Sequence, residues 1–266
     1  MNTLKCRLSL AVAAVGIVTA LSGCTGGAGG LPAAISTARY AGSYTGSFSG
    51  TTAQGNPVSG TFTATIQTNG SLTGTVTQGQ TSFPATGAVD ANGQITVTAS
   101  GGSGANAFTS TLTGTAVAAA TGEVTATGTL QTTQGGVPNA VTGRFTAIRS
   151  GNTANPFAGT YSGTITGTGI SGTFQATADA NGSITGTVTQ TQPAGIAPYT
   201  ATGFVTRLGQ VTVFAVGSSG VQQFTSTLTG TATNQNGNVA IGGSFTTQSG
   251  GQPAGSGTFA GTRTGT

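Results

Sequence analysis

The side chains that could carry out chemistry are few in this chain. Its 266 residues include no histidine and only three acids, Asp90, Glu123 and Asp179. Histidine is the commonest general base and a frequent metal ligand, and three separated acids cannot supply a carboxylate pair together with a metal site. Serine and threonine hydroxyls are abundant, yet none stands in a nucleophile motif beside a base. The composition therefore predicts no enzymatic activity, no metal and no cofactor.

The three acids have structural explanations. Asp90 and Asp179 each precede Ala-Asn-Gly, and an aspartate at such a position accepts hydrogen bonds from backbone N–H groups of a turn. A calcium site is the alternative, but calcium needs six or more oxygen ligands and no second carboxylate is near in sequence. Glu123 is expected to be a charge in a turn or at a strand edge. Five arginines remain after residue 7, too few for a basic stripe, so no nucleic-acid partner is expected.

One thiol does stand in a pattern with a chemical meaning. Lys5 and Arg7 precede an uncharged, mostly apolar run over 8–21, which is shorter than the roughly 20 residues of a transmembrane helix. The run ends in Leu21-Ser22-Gly23-Cys24. This order resembles the lipobox of bacterial lipoproteins. The resemblance implies that the Cys24 thiol receives a diacylglyceryl group and that cleavage leaves lipidated Cys24 as the N-terminus; the alternative is an ordinary signal peptide cleaved elsewhere.

The same resemblance suggests where the chain resides. In such lipoproteins an aspartate after the cysteine favours the inner membrane, so Thr25 implies lipid anchoring in the outer membrane, facing the periplasm or the cell surface. The glycine-rich stretch after Cys24 is typical of a flexible tether. The other cysteine, Cys6, lies in the discarded signal, so the mature chain would have no disulfide. The membrane is then the expected partner, reached through the lipid.

The rest of the chain is a duplication. SGTFTATIQTNGSLTGTVTQ from Ser59 matches SGTFQATADANGSITGTVTQ from Ser171 at 15 of 20 positions, and FTSTLTGTA from Phe108 recurs from Phe224. The matching segments keep their order, which indicates two copies of one domain rather than a solenoid. The predicted organisation is a lipoprotein signal peptide over 1–23, a tether over 24–39, one repeat over 40–151, a linker over 152–156 and a second repeat over 157–266.

Each copy alternates with period two. Threonine and serine occupy one face, and glycine, aliphatic residues and phenylalanine occupy the other, which is typical of half-buried strands. Turn signals separate eight such segments in each copy. Short connections favour an up-and-down meander, and eight strands can close into a small barrel that has no edges. The predicted fold is therefore all-β, with two tandem eight-stranded antiparallel up-and-down β-barrels.

Four residues carry a second resemblance. Each copy opens with glycine, one residue and an aromatic, at Tyr44 and Tyr161, and ends with a matched Arg149 or Arg263. This is similar to the calycins, where a first-strand Gly-x-Trp and a late arginine pack together to close one barrel end. The lipobox, tether and barrel together also resemble the barrel lobes of transferrin-binding and factor H-binding surface lipoproteins. The resemblance implies that these four residues close the barrels, while the absence of tryptophan argues against avidin-like biotin binding.

The positions of the remaining aromatic residues and arginines suggest structural roles for them. Four aromatic pairs recur in both copies, which predicts a shared core, with the wall of an apolar ligand cavity as the alternative: Phe62/Phe174, Phe83/Tyr199, Phe108/Phe224 and Phe145/Phe259. The other arginines, Arg39, Arg144 and Arg207, are expected to be solvated.

The sequence leaves several functions open. The first is a lipid-anchored, non-enzymatic binding or structural module that contacts a protein or glycan through its outer faces or loops. The second is a calycin-like carrier with a small apolar ligand in each lumen. The third is a single 16-stranded membrane barrel built from both copies, with the Gly/Phe face toward lipid. An ice-binding threonine face needs a flat array, which a curved barrel does not offer.

Overall fold

A computed structural model describes residues 36–151, 154–219, 222–249 and 252–265. A 3₁₀ helix over Thr37–Tyr40 leads into the first barrel, and another over Gly104–Asn106 lies between its fifth and sixth strands. The first barrel consists of β1 (Gly42–Thr52), β2 (Pro57–Ile66), β3 (Ser71–Gln78), β4 (Thr81–Val89), β5 (Gln94–Gly101), β6 (Phe108–Ala118), β7 (Val124–Gln134) and β8 (Val137–Arg149). No helix within these described ranges is long and apolar enough to span a membrane.

The second barrel repeats this plan. It consists of β9 (Gly159–Gly167), β10 (Ile170–Ala178), β11 (Ser183–Gln192), β12 (Tyr199–Val205), β13 (Gln210–Ser219), β14 (Gln222–Gln235), β15 (Asn238–Ser249) and β16 (Gln252–Gly265). Every neighbouring pair in both barrels is antiparallel and follows chain order, which is the predicted meander.

Each barrel closes on itself. β1 pairs with β8, so that Phe48 lies opposite Phe145. β9 pairs with β16, so that Ile165 lies opposite Phe259. The prediction of two closed eight-stranded barrels is confirmed. The prediction of a single 16-stranded barrel is wrong. The first and last strands of each copy are hydrogen-bonded to one another, so neither copy has a free edge through which the two could join into one sheet.

Successive side chains along each strand point alternately into the barrel lumen and outward, and this matches the alternation of residue types in the sequence. Each barrel has its own apolar core cluster, made of the glycine-face aliphatic and aromatic side chains. Inward glycines make room for the rings: a Cβ on Gly163 would overlap the Phe174 ring and the Ala260 carbonyl, and a Cβ on Gly46 would overlap the Phe62 ring. Glycine is therefore required where an aromatic ring from a neighbouring strand crosses the narrow lumen.

The two barrels pack side by side through unlike faces. The outer faces of β1 and β8 lie against those of β11, β12 and β13. Ser47 Oγ donates to the Ile184 carbonyl oxygen (3.4 Å), and Ser49 Oγ lies 3.3 Å from Thr202 Oγ1. Toward the other end of the contact, Gln223 Nε2 donates to the Thr52 carbonyl oxygen (2.7 Å). Outward hydroxyls that would otherwise face water therefore become a buried interface between the barrels.

Apolar side chains reinforce this interface. Ile148 on β8 is fully buried although it lies outside both core clusters. On the facing side Phe204, Phe214 and Val216 are buried, and the Arg144 guanidinium lies 5.2 Å from the centre of the Phe214 ring. Arg144 therefore bridges the barrels by a cation–π contact, and the expectation that it is solvated is wrong.

Each barrel also has the face that its neighbour uses in the interface, and on that face it is exposed. GQITVTASG from Gly93 aligns with GQVTVFAVG from Gly209, so the counterpart of buried Phe214 is Thr98, which is exposed. GRFTAIR from Gly143 aligns with GTFAGTR from Gly257, so the counterpart of buried Ile148 is Thr262, also exposed. The two copies therefore differ in the outward-facing residues at the positions that form the interface between the barrels.

Candidate functional site

Tyr44 and Arg149, which the sequence predicts to close one end of the first barrel, lie together at that end. These residues lie opposite each other on β1 and β8. The Tyr44 hydroxyl donates to the Tyr40 carbonyl oxygen (2.6 Å). Arg149 donates from Nη1 to the carbonyl oxygens of Arg39 (3.1 Å) and Ala41 (3.2 Å), and from Nη2 to that of Gly122. The structure therefore brings the incoming chain and the β6–β7 turn together over this end.

The second barrel repeats this arrangement with Tyr161 and Arg263. The Tyr161 hydroxyl donates to the Phe157 carbonyl oxygen (2.5 Å). Arg263 Nη1 donates to the carbonyl oxygens of Pro156 (3.4 Å) and Ala158 (3.2 Å), and Nη2 donates to that of Gly237 (3.0 Å). We call this side of both barrels the closed end. Because each guanidinium reaches three carbonyls, it ties together backbone segments that are far apart in sequence.

Burial favours the neutral form of the closed-end phenols. It raises the pKa of Tyr44 to about 12, with Arg149 opposing the shift. It also raises the pKa of Tyr161, with Arg263 opposing. Each hydroxyl donates to a backbone carbonyl oxygen, so the contacts of both phenols here are those of structural groups.

The middle of each lumen is nearly filled. The remaining space is about 50 Å³ in the second barrel and about 40 Å³ in the first, with almost entirely apolar walls. The rings of Phe174 and Phe259 meet edge to face at 6.4 Å, as do those of Phe62 and Phe145 at 6.1 Å. These four rings belong to the shared core that their recurrence predicts. These voids are smaller than an apolar cavity of roughly 150 Å³, the size that admits benzene.

The opposite side of the second barrel contains a large cavity. It measures about 410 Å³ and is walled by Val188, Tyr199, Phe224, Leu228 and Phe245 among others. The rings of Tyr199 and Phe224 meet edge to face at 4.9 Å. We call this side the open end. The volume lies in the range typical of small-molecule sites. Tyr199 and Phe224 belong to the buried core of the second barrel, as their recurrence predicts, and they also form part of the wall of this cavity.

The first barrel has a smaller version of this cavity. It measures about 280 Å³, and its wall includes Phe83 and Phe108, whose rings meet edge to face at 4.8 Å. One cause of the difference is the connection between the third and fourth strands. β3 and β4 are joined by Gly79-Gln80, whereas β11 and β12 are joined by residues 193–198, and Ile196 of this longer connection packs on the core and lines the larger cavity.

Polar groups in the open-end cavities are neutral. In the second barrel Ser226 Oγ lies 2.7 Å from Thr247 Oγ1, and in the first barrel Ser110 Oγ lies 2.7 Å from Thr132 Oγ1. Tyr199 is the one titratable group on these walls within the described residues, and burial raises its pKa to about 12. The cavities can thus offer van der Waals contact and a few uncharged hydrogen bonds.

The acids lie outside these cavities. Asp90 Oδ1 accepts from the backbone N–H groups of Asn92 and Gln94 (2.8 Å each), and Asp179 makes the same pair of bonds in its own turn. This confirms the prediction that both are turn residues. Within the part of the chain that the structure describes, no cluster of three potential metal-ligating acids, histidines or cysteines exists.

The third acid has a role that the sequence did not suggest. Glu123 is in the β6–β7 turn, as expected, but it is buried and its carboxylate accepts the Arg207 backbone N–H, with both oxygens at 3.2 Å. This contact joins the closed ends of the two barrels. The Arg207 side chain is half-buried and its Nε is buried, so the expectation that it is solvated is wrong. Arg39 is exposed, and its guanidinium stacks 4.6 Å from the Tyr40 ring centre.

The barrels therefore point the same way. Glu123 and Arg207 meet at the two closed ends, while the β1–β2 turn meets the β13–β14 end, where Ser218 Oγ donates to the Gly55 carbonyl oxygen. Both open ends lie on one side of the pair. The chain enters the first barrel at the closed end, through the 3₁₀ helix over Thr37–Tyr40.

The predicted lipidation site lies outside the described residues. This applies to Leu21, Ser22, Gly23 and Cys24, to the signal peptide over 1–23 and to most of the 24–39 tether.

Comparison with known proteins gives distant likenesses. No protein-family model matches the chain, and no curated protein matches it. A DUF3598-family protein of unknown function from Nostoc punctiforme is 11% identical, with 88% of this chain and 100% of that chain covered and a TM-score of 0.25. Transferrin-binding protein B from Haemophilus parasuis, a vaccine antigen, is 9% identical over 84% of this chain and 76% of its own, with a TM-score of 0.29. Kievitone hydratase from Nectria haematococca is 11% identical over 84% and 89%, with a TM-score of 0.23.

Proposed function

We propose that this chain is a lipid-anchored, non-enzymatic binding protein of the bacterial outer membrane, and that it holds a small apolar molecule in the open end of its second barrel. The observation that carries the proposal is the cavity of about 410 Å³ with a mainly hydrophobic and aromatic wall. Small-molecule sites are concave, mostly apolar and supplied with a few placed polar groups, and this cavity has each of these properties.

The closed end supports the same function. Tyr161 and Arg263 tie backbone segments across one side of the second barrel, and the narrow middle of the lumen is filled. A ligand can then enter and leave only from the open end. A rigid, preformed cavity loses little entropy on binding, which favours affinity for a small ligand.

Catalysis is not part of the proposal. A reaction at this cavity would need a general acid or base or a metal, and the described wall offers neutral hydroxyls and amides instead. The raised pKa of Tyr199, about 12 because of burial, makes this phenol a poor general base near neutral pH.

The ligand site can be tested by filling its rim. Ala254 lies on β16, lines the cavity and is exposed, so Ala254→Trp would obstruct the open end without disturbing the core. Ala260 on the same strand is exposed on the outer face, which makes Ala260→Trp the matched control. Native mass spectrometry of chains carrying Cys24→Ser, purified without detergent, should show a co-purified small molecule that Ala254→Trp removes and Ala260→Trp retains. Retention by both would contradict the proposed site.

The anchor needs its own experiment. Globomycin, which blocks lipoprotein signal peptidase, should cause a slower-migrating precursor to accumulate. Cys24→Ser should abolish incorporation of labelled palmitate and release the chain from the membrane fraction. Normal processing and membrane association of Cys24→Ser would show that Cys24 does not carry the anchor.

A further inference from the structure

Besides their volumes, the two open-end cavities differ in a hydroxyl at one pair of equivalent positions. Tyr199 on β12 occupies the position of Phe83 on β4, and each ring packs edge to face against the matching phenylalanine at nearly the same distance, 4.9 Å and 4.8 Å. A glutamine lines both cavities, Gln190 in the second barrel and Gln78 in the first. The phenolic oxygen is thus a polar atom that the second barrel has and the first lacks.

This hydroxyl is weakly engaged within the protein. Tyr199 is 4% exposed, and its hydroxyl oxygen lies 3.5 Å from Gln190 Oε1, well beyond the 2.7–2.8 Å of an ordinary O–H···O bond. Gln190 Nε2 donates to the Gln192 carbonyl oxygen (2.8 Å), which fixes the amide with its oxygen toward Tyr199. A buried hydroxyl normally has a close partner, so this one has bonding capacity left for a ligand.

The charge of the wall restricts what can bind. The described wall carries no carboxylate, ammonium or guanidinium group. A charged ligand group would lose its hydration without gaining a counter-ion, which is strongly unfavourable in an apolar cavity. The edge-to-face rings of Tyr199 and Phe224 offer a surface to a ligand that itself contains rings.

We propose that the second barrel, and not the first, selects an uncharged ring-containing ligand with one hydrogen-bonding group, which pairs with the Tyr199 hydroxyl. This rests on the proposed function, since it names the class of ligand for the same cavity. The first barrel, with Phe83 and a cavity of about 280 Å³, then serves as a partner domain without this selectivity.

The test uses two probes that share a skeleton. N-phenyl-1-naphthylamine is neutral, contains rings and carries one N–H group; 8-anilinonaphthalene-1-sulfonate is the same molecule with an added anionic sulfonate. Both brighten in apolar surroundings, and the chain has no tryptophan to interfere. Titration into the Cys24→Ser chain should show one site for the neutral probe and at least tenfold weaker binding of the anionic probe. Equal binding of both would overturn the assignment of an uncharged ligand.

The hydroxyl is tested by Tyr199→Phe, which copies the first barrel. We expect the dissociation constant of the neutral probe to rise about fivefold, the usual contribution of one neutral hydrogen bond. Tyr161→Phe removes a phenol at the closed end of the same barrel and should leave probe affinity unchanged. Circular dichroism and melting of each variant verify that the fold is retained.

The outcomes separate the two proposals. If the neutral probe does not bind the Cys24→Ser chain and no ligand co-purifies, the proposed function itself fails. If the neutral probe binds both this chain and Tyr199→Phe equally, the cavity stands and the role of the hydroxyl is refuted. If Ala254→Trp, which obstructs the second barrel, leaves probe binding intact, the selective site is not in that barrel.

Discussion

The side-by-side arrangement of the barrels can be tested at a single side chain. Phe214 is on β13, points away from its own lumen, and is nonetheless only 7% exposed. It is covered by the first barrel, with the Arg144 guanidinium 5.2 Å from its ring centre. Phe214→Ala would remove the ring while leaving both barrel cores untouched.

The expected cost follows from what the ring contacts. Truncating a buried phenylalanine to alanine costs about 3–5 kcal/mol, because apolar contact is lost and a void remains. The cation–π contact with Arg144 adds about 0.5–2 kcal/mol. Because this ring lies at an interface that can partly collapse, we expect a loss of about 3 kcal/mol in the free energy of unfolding. For a chain of this size this loss lowers Tm by roughly 6–12 °C.

Denaturation in urea measures the cost, and hydrogen exchange locates it. Tyrosine fluorescence reports on both barrels, since Tyr40 and Tyr44 belong to the first and Tyr161 and Tyr199 to the second. Amide exchange by mass spectrometry should show faster exchange in β8, across the interface from the substitution.

The matched control is Thr98→Ala. Thr98 is the counterpart of Phe214 in the first barrel and is exposed, so its truncation should change stability by no more than about 0.5 kcal/mol. If Phe214→Ala costs no more than Thr98→Ala and exchange in β8 is unchanged, the barrels do not pack through this face.

Three further substitutions and one titration test other parts of the structure. Arg149→Met keeps the aliphatic stem but removes three hydrogen bonds to carbonyls, so thermal denaturation should show a loss of about 2–3 kcal/mol; an unchanged Tm would refute its role as a closed-end tie. Thr146→Val should raise stability by about 1 kcal/mol, since Thr146 Oγ1 is buried with no hydrogen-bond partner in the described structure, and a loss in urea denaturation would contradict this. Gly163→Ala should cost about 2 kcal/mol or more by forcing a methyl group against the Phe174 ring, which calorimetry would detect, and tolerance would mean that the lumen has more room than described. The pKa of Tyr44, raised to about 12 by burial, means that the folded chain holds its phenolic proton longer than the unfolded chain. The resulting stabilisation is complete below pH 10 and is lost as pH rises from 10 to 12, so a urea midpoint that stays constant over this range would exclude the shift.

The fold was predictable because barrel formation depends on local patterns. Alternating threonine and glycine or aliphatic residues specify which face turns inward, and Asn-Gly turns specify short connections. The duplication reinforced each assignment, since Phe108 and Phe224 occur in the same nine-residue segment. Each barrel was then expected to close, because its first and last strands have no other strand with which to pair.

The interface was not predicted because it depends on which outer faces meet, and sequence alternation says nothing about that. A signal was present: Phe204 and Phe214 are large apolar residues at outward positions, and their counterparts in the first copy are Ala88 and Thr98. An aromatic residue at an outward strand position in one copy of a repeat, where the other copy has a small or polar residue, indicates a contact that only the first copy makes. The cavity could not be predicted from the sequence either. Its volume is a small difference between two larger volumes, that of the barrel lumen and that of the side chains that fill it.

The unlike faces of the interface have a consequence for assembly. A heterologous, head-to-tail contact can in principle repeat without end and produce a filament. Here both faces left free lack the residues of the contact: Thr98 replaces Phe214 on the one, and Thr258 and Thr262 replace Arg144 and Ile148 on the other. The free faces therefore lack the aromatic ring, the guanidinium and the aliphatic side chain that make the contact, which disfavours repetition of this interface beyond two barrels.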